Sequence, residues 1–85
     1  MYLHLGQNTV VNKNNVVGIF DLDGTTVSVK TRNFLRSAEK SGNVFNVSDE
    51  LPKSFVICEE NGKTTVYISQ MSAYTLLKRF SSKEV

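Results

Sequence analysis

Cysteine and histidine each occur once in this 85-residue chain, as Cys58 and His4. One cysteine excludes an internal disulfide and a cysteine-based zinc site, and a lone thiol within an apolar strand behaves as a small hydrophobe. His4 alternates with Leu3 and Leu5 and reads as a strand residue, not a base or a metal ligand. There is no glycine-rich phosphate loop, no nucleophile beside its base and no cluster at metal-ligand spacing. The chain therefore reads as a non-enzyme that needs no cofactor. No apolar run approaches a membrane span. Met1-Tyr2-Leu3-His4 lacks the charged and hydrophobic regions of a signal peptide, so the expected location is the cytoplasm, without a membrane partner. Charge of one sign is scarce too: ten Lys and Arg against eight Asp and Glu leave a formal net charge of +2. Such a balance does not announce nucleic acid, and the distribution of the cations carries more weight.

What is there is strand. Phe55 to Cys58 and Thr65 to Ile68 flank Asn61-Gly62, a strong signal for a two-residue type I′ turn with φ > 0 at both residues. That turn sets Glu60 opposite Lys63, Cys58 opposite Thr65, Ile57 opposite Val66 and Phe55 opposite Ile68. Alternation then puts Phe55, Ile57, Val66 and Ile68 on one face, and Val56, Cys58, Thr65 and Tyr67 on the other. Both faces need cover. Leaving four such side chains wet forgoes roughly 6–12 kcal/mol, against a total stability of about 5–15 kcal/mol for a small domain. Two short helices cover one face or parts of both, which leaves apolar surface for another copy of the chain. Val56 and Tyr67 are the candidate interface residues. Curling of the sheet into a small barrel is the alternative that needs no partner.

Before the hairpin come three short strands, Tyr2–Leu5, Thr9–Val11 and Val16–Phe20, the last with Val17 and Ile19 opposing Val16 and Phe20. Asp21-Leu22-Asp23-Gly24-Thr25 has the form of the nucleophile loop of haloacid-dehalogenase-type phosphatases. That chemistry requires a doubly wound parallel sheet and later motifs which this strand order does not supply, so Asp-Gly reads as a strand-ending turn. A helix follows between an N-cap at Ser28 and a left-handed C′ residue at Gly42, with Thr31, Phe34, Leu35 and Ala38 as its inward stripe. Val44–Val47 is a further strand. Ser72 caps a last helix, Met71 is placed to staple onto Leu76, and Ala73, Leu76, Leu77 and Phe80 form its apolar side. The expected fold class is α+β: one domain over residues 1–80 with a small antiparallel sheet in the order βββ-α-βββ-α, and a polar tail over 81–85.

The basic residues form a ridge, Arg32-Arg36-Lys40, on the helix side opposite its stripe, with Lys13 before the third strand and Lys53 at the hairpin entrance. Lys78 and Arg79 suit the negative end of the last helix. One copy offers few cations for DNA, but copies closed into a ring repeat them at fixed spacing and bind with avidity. No array of base-reading side chains is evident, so contacts favour phosphate.

Several stretches carry a family resemblance: Met1-Tyr2-Leu3-His4-Leu5-Gly6, Val10-Val11, Val16 to Asp21, Pro52 to Ile57, and Ile68-Ser69 through Thr75 to Arg79. In these the chain resembles the RemA/RemB extracellular-matrix regulators of Firmicutes, its RemB branch most of all. The resemblance implies a small cytoplasmic transcription regulator of biofilm-matrix genes. In the RemA branch it implies a LytTR-like subunit of a ring oligomer whose rim arginines contact DNA. Leu51-Pro52 stands where RemA-like chains carry an Arg-Arg pair, and Asn15 where they carry an arginine. Lys53 and Lys13 are the nearby cations, and lysine is a point charge without the guanidinium fork. Lys13, Lys53, Arg32 and Arg36 are thus the candidate DNA-binding residues of a homo-oligomer. The competing reading is an oligomeric interaction module, pairing with a related family member and not binding DNA. A small-ligand sensor is a third, for which the sequence holds nothing specific.

Overall fold

The structure, a computed structural model, describes residues 1–22 and 29–82. In chain order the elements are β1 (Tyr2–Gly6), β2 (Thr9–Asn12), a 3-10 turn (Lys13–Asn15), β3 (Val16–Asp21), α1 (Val29–Lys40), β4 (Val44–Asn46), β5 (Ser54–Glu60), β6 (Lys63–Ser69) and α2 (Ala73–Ser81). The order matches βββ-α-βββ-α. The single antiparallel sheet does not hold, because the strands divide into an antiparallel β1-β2 hairpin and a four-stranded sheet in the order β3-β5-β6-β4. Within the latter, β4 runs parallel to β6. Residues 47–53 wrap around the end of β6, tied there by the Val47 N–H to the Ile68 carbonyl and the Lys53 N–H to the Ser69 carbonyl, each 2.9 Å. A chain that crosses that end before starting β5 must leave β4 pointing the same way as β6.

Asn61 and Gly62 have φ of 54° and 80°, and the β5–β6 register runs from Glu60↔Lys63 through Cys58↔Thr65 and Ile57↔Val66 to Phe55↔Ile68. The type I′ turn sets this register because its twist matches that of the strands it joins. β3 departs from simple alternation. An irregularity between Val16 and Gly18 adds a residue, so Val16 faces Cys58 while Gly18 faces Ile57 and Phe20 faces Phe55. Val16 and Ile19 therefore share a face, and Val17, expected beside Ile19, is left outward at 64% exposure. Gly18 is needed for packing: a Cβ there would lie 2.6 Å from the Phe20 ring, which stacks on Phe55 at 4.9 Å.

Both faces of the long hairpin are covered from within the chain. Over Val56 and Cys58 lie Leu3 and Leu5 of β1, Val11 of β2 and Leu76 of α2, which form one core with Val47. Two fully buried serines fasten these layers: Ser69 Oγ donates to the Leu5 carbonyl at 2.6 Å and Ser54 Oγ to the Met71 carbonyl at 2.7 Å. The hydroxyls satisfy carbonyls that would otherwise be dry. On the other face, beneath α1, Phe55 and Val66 are buried. Thr31, Leu35 and Ala38 of α1 are half-buried, Phe34 is exposed, and no residue of α1 is fully buried, so this cover is loose.

Local signals explain the helix ends. Gly42 adopts φ 74°, with its N–H on the Glu39 carbonyl and the Asn43 N–H on the Ala38 carbonyl, both 3.0 Å. That pair of bonds is the Schellman arrangement a C′ glycine permits. The N-cap expected at Ser28, like the loop from Asp23, lies outside the described residues. In α2, Ser72 Oγ accepts from the Thr75 N–H at 3.1 Å, Leu76 is buried and Met71 packs against the same core. Leu77, expected inward, is 48% exposed. α2 extends to Ser81, one residue into the expected tail.

Candidate nucleic-acid interface

Arg32, Arg36 and Lys40 project from successive turns of α1 and all three are exposed. At 1.5 Å per residue the ridge is about 12 Å long. Arg32 and Arg36 border a groove of about 290 Å³ whose other walls are Leu35, Glu39, Val44 and Ile68. The two guanidiniums thus share one surface beside the β4 edge.

Lys13 and Lys53 are not brought to that surface or to each other. Antiparallel pairing of β3 with β5 puts Val16 opposite Cys58 and Asp21 opposite Ser54. Lys13 consequently sits at the turn end of the sheet and Lys53 at the far end, about 20 Å away at the usual strand rise. Lys53 is exposed. Lys13 is half-buried and engaged: its Nζ donates to the Ser82 carbonyl at 3.1 Å and lies 5.9 Å from the Phe80 ring centroid. It therefore places a positive charge at the negative end of α2. Arg79 bridges in the same region, from the Met71 sulfur at 3.6 Å to the His4 carbonyl at 3.5 Å.

Val56 is displaced from its expected role. At 0% exposure it is sealed under the β1-β2 hairpin and α2 and has no surface to offer a partner. Tyr67, on the same face, is half-buried and meets Phe45 edge-to-face at 5.7 Å. Phe45, on the edge strand β4, is 49% exposed; Phe20, on the opposite edge strand β3, is 42% exposed. The sheet thus carries an apolar aromatic at each edge. Sequence periodicity did not single out either residue, because which strands become edges is a tertiary outcome; the shortness of the Val44–Val47 run was the available hint. Burial pushes the Cys58 thiol up from its ordinary value, and the Tyr67 phenol is raised by burial first, with smaller contributions from Cys58 and Glu60. Neither group ionises near neutral pH.

Among the described residues, no helix is long and apolar enough to cross a membrane. Comparison with known proteins converges on one group. A family model described as RemA-like, extracellular matrix regulatory protein A-like, matches residues 2–80. The chain is also similar to extracellular matrix regulatory protein B of Bacillus subtilis (strain 168), with 35% identity over 79 residues, spanning 93% of this chain and 89% of that protein.

Proposed function

This chain belongs to the RemA-like family of extracellular matrix regulatory proteins, and we propose that it is a non-enzymatic regulator of matrix-gene transcription that acts as a ring of identical copies on DNA. The observation that carries the proposal is the pairing of two features around the β4 edge. An exposed arginine pair, Arg32 and Arg36, lies beside an edge whose aromatic, Phe45, is half exposed. Phe20 on the opposite edge is the complementary feature. Two different apolar edges on one sheet suit a head-to-tail contact, the kind that generates rings when its rotation closes. The subunit is then of the LytTR-like type that the resemblance implies, and each copy adds its cations to a shared rim. Tyr67 lies beneath Phe45 at that contact.

In this reading Arg32 and Arg36 hold phosphates through guanidinium forks. Lys53 and Lys13, at opposite ends of the sheet and away from the arginine pair, add point charges only where DNA extends beyond that surface. Binding is set by phosphate and DNA shape, and avidity among copies compensates for a net charge of only +2. The substitutions Leu51-Pro52 and Asn15 favour a second reading: the same assembly, or one mixed with a related family member, docks a protein and leaves DNA alone.

A salt series separates the two. The slope of log K against log salt should be steep for the unmodified protein. In the Arg32→Ala/Arg36→Ala variant it should fall by about 1.8 per engaged copy, at about 0.9 per lost phosphate contact. An oligomer with no DNA affinity at low salt would overturn the DNA reading and leave the interaction module.

A further inference from the structure

A cleft of about 310 Å³ opens between the β1-β2 hairpin and the tip of the β5-β6 hairpin. It lies at the lower end of the roughly 300–1,000 Å³ that small-molecule sites occupy. Its construction follows from the register. Glu60 faces Lys63 beside the turn, Cys58 faces Thr65 one step further in, and all four point to the side on which β2 lies. An acid and a base thus stand together at the rim, with a thiol and hydroxyl on the floor. Val10, Val11, Asn12 and Asn15 line the opposite side, where Val11 supplies an apolar patch, and Tyr67 lies at the inner end. Glu60 and Lys63 form no ion pair within 4.0 Å with each other or with another described residue. Both side chains are exposed at the rim, and neither charge is spent on a partner within the described residues.

We propose that this cleft binds a compact zwitterion, an amino acid or similar metabolite. Glu60 takes the ammonium, Lys63 takes the carboxylate, and the apolar part of the ligand lies toward Val11. A purely anionic ligand would meet Glu60 at close range, and a purely cationic one Lys63, so the pair selects molecules that carry both charges. The thiol of Cys58, kept protonated by burial, and the phenol of Tyr67 supply neutral polar contacts deeper in. None of this depends on DNA binding or on a ring.

Cys58 is the sole cysteine and is buried beneath the cleft, so its alkylation requires the floor to open, and a ligand that holds the floor closed slows it further. Each of the twenty L-amino acids is added to the full chain at about 10 mM, ten times a weak millimolar Kd. Backbone amide shifts and the rate of Cys58 alkylation by iodoacetamide are then followed. At least one amino acid should give saturable shifts at Asn12, Cys58 and Thr65 and slow alkylation severalfold. Its decarboxylated amine and its deaminated acid should each bind about tenfold more weakly, since a charge-assisted contact is worth about that factor. Glu60→Gln and Lys63→Met should cause matching losses while leaving the circular dichroism spectrum unchanged. Absence of shifts with all twenty, or binding that survives the double variant, would overturn the proposal. So would alkylation that slows with protein concentration alone, because a second copy would then fill the cleft.

Discussion

In the proposed ring, replacing Phe45 with aspartate should release folded single subunits and weaken DNA binding by roughly a hundredfold or more, the factor by which avidity exceeds one contact. The folding cost is modest. Phe45 is 49% exposed and its one aromatic contact among the described residues is the edge-to-face pairing with Tyr67, worth about 0.5–1.5 kcal/mol from a total of about 5–15 kcal/mol. At a contact between copies the cost is larger, because a carboxylate would be buried there without a partner, at several kcal/mol per interface. Phe20→Asp at the other edge should behave the same way. Mixing the two variants provides a sharper check. A head-to-tail contact joins one copy's Phe45 edge to its neighbour's Phe20 edge, so the mixture retains one intact pairing per two chains and should stop at a heterodimer. Light scattering reads all three samples; a Phe45→Asp protein that keeps the unmodified mass would remove β4 from the interface.

Val56→Asp is expected to unfold the chain. Val56 is sealed at 0% exposure between Leu5, Leu76 and the sheet. Removing its side chain from the core forfeits about 1.5–3 kcal/mol, and an unpaired carboxylate in its place costs several kcal/mol more. Together these exceed the stability of many small domains. Thermal melting followed by circular dichroism should show no cooperative transition for this variant, whereas Tyr67→Asp, at a half-buried site, should keep one at a lower midpoint. A well-folded, monomeric Val56→Asp protein would return Val56 to an interface and contradict the packing described above.

The contrast between these residues shows where sequence reasoning reaches its end. The Asn61-Gly62 turn carries its own register, since both residues must take positive φ and alternation then sets every pair down to Phe55 and Ile68. Gly42 and Ser72 were legible for the same reason: capping is a contract between neighbours in the chain. The role of Val56 was not. Its face is as apolar as expected, but its cover comes from β1 and β2, which fold as a separate two-stranded layer through Leu3, Leu5 and Val11. Packing between layers more than forty residues apart in the chain leaves no local mark. The parallel β4 was equally hidden, because it follows from the path of residues 47–53 around β6 and not from any residue in β4. Val17 was misplaced because one extra residue in β3 reverses alternation on either side of it.

The candidate cations divide along the same line. Arg32, Arg36 and Lys40 share a side of α1 because helical spacing is local and regular. Separation of Lys13 from Lys53 required the β3–β5 register, and attachment of Lys13 to Ser82 required α2 to dock beside the 3-10 turn. Family membership covers residues 2–80, the span that holds all of these cations.

The proposed ring requires that one chain of 9.5 kDa does not act alone. The native mass of the unmodified protein, measured by light scattering across a dilution series, tests this most directly. A closed ring should give a single species at an integral multiple of the chain mass that persists on dilution. A mass of one chain at every concentration would contradict it, leaving Phe20 and Phe45 as ordinary surface residues and the rim without its repetition.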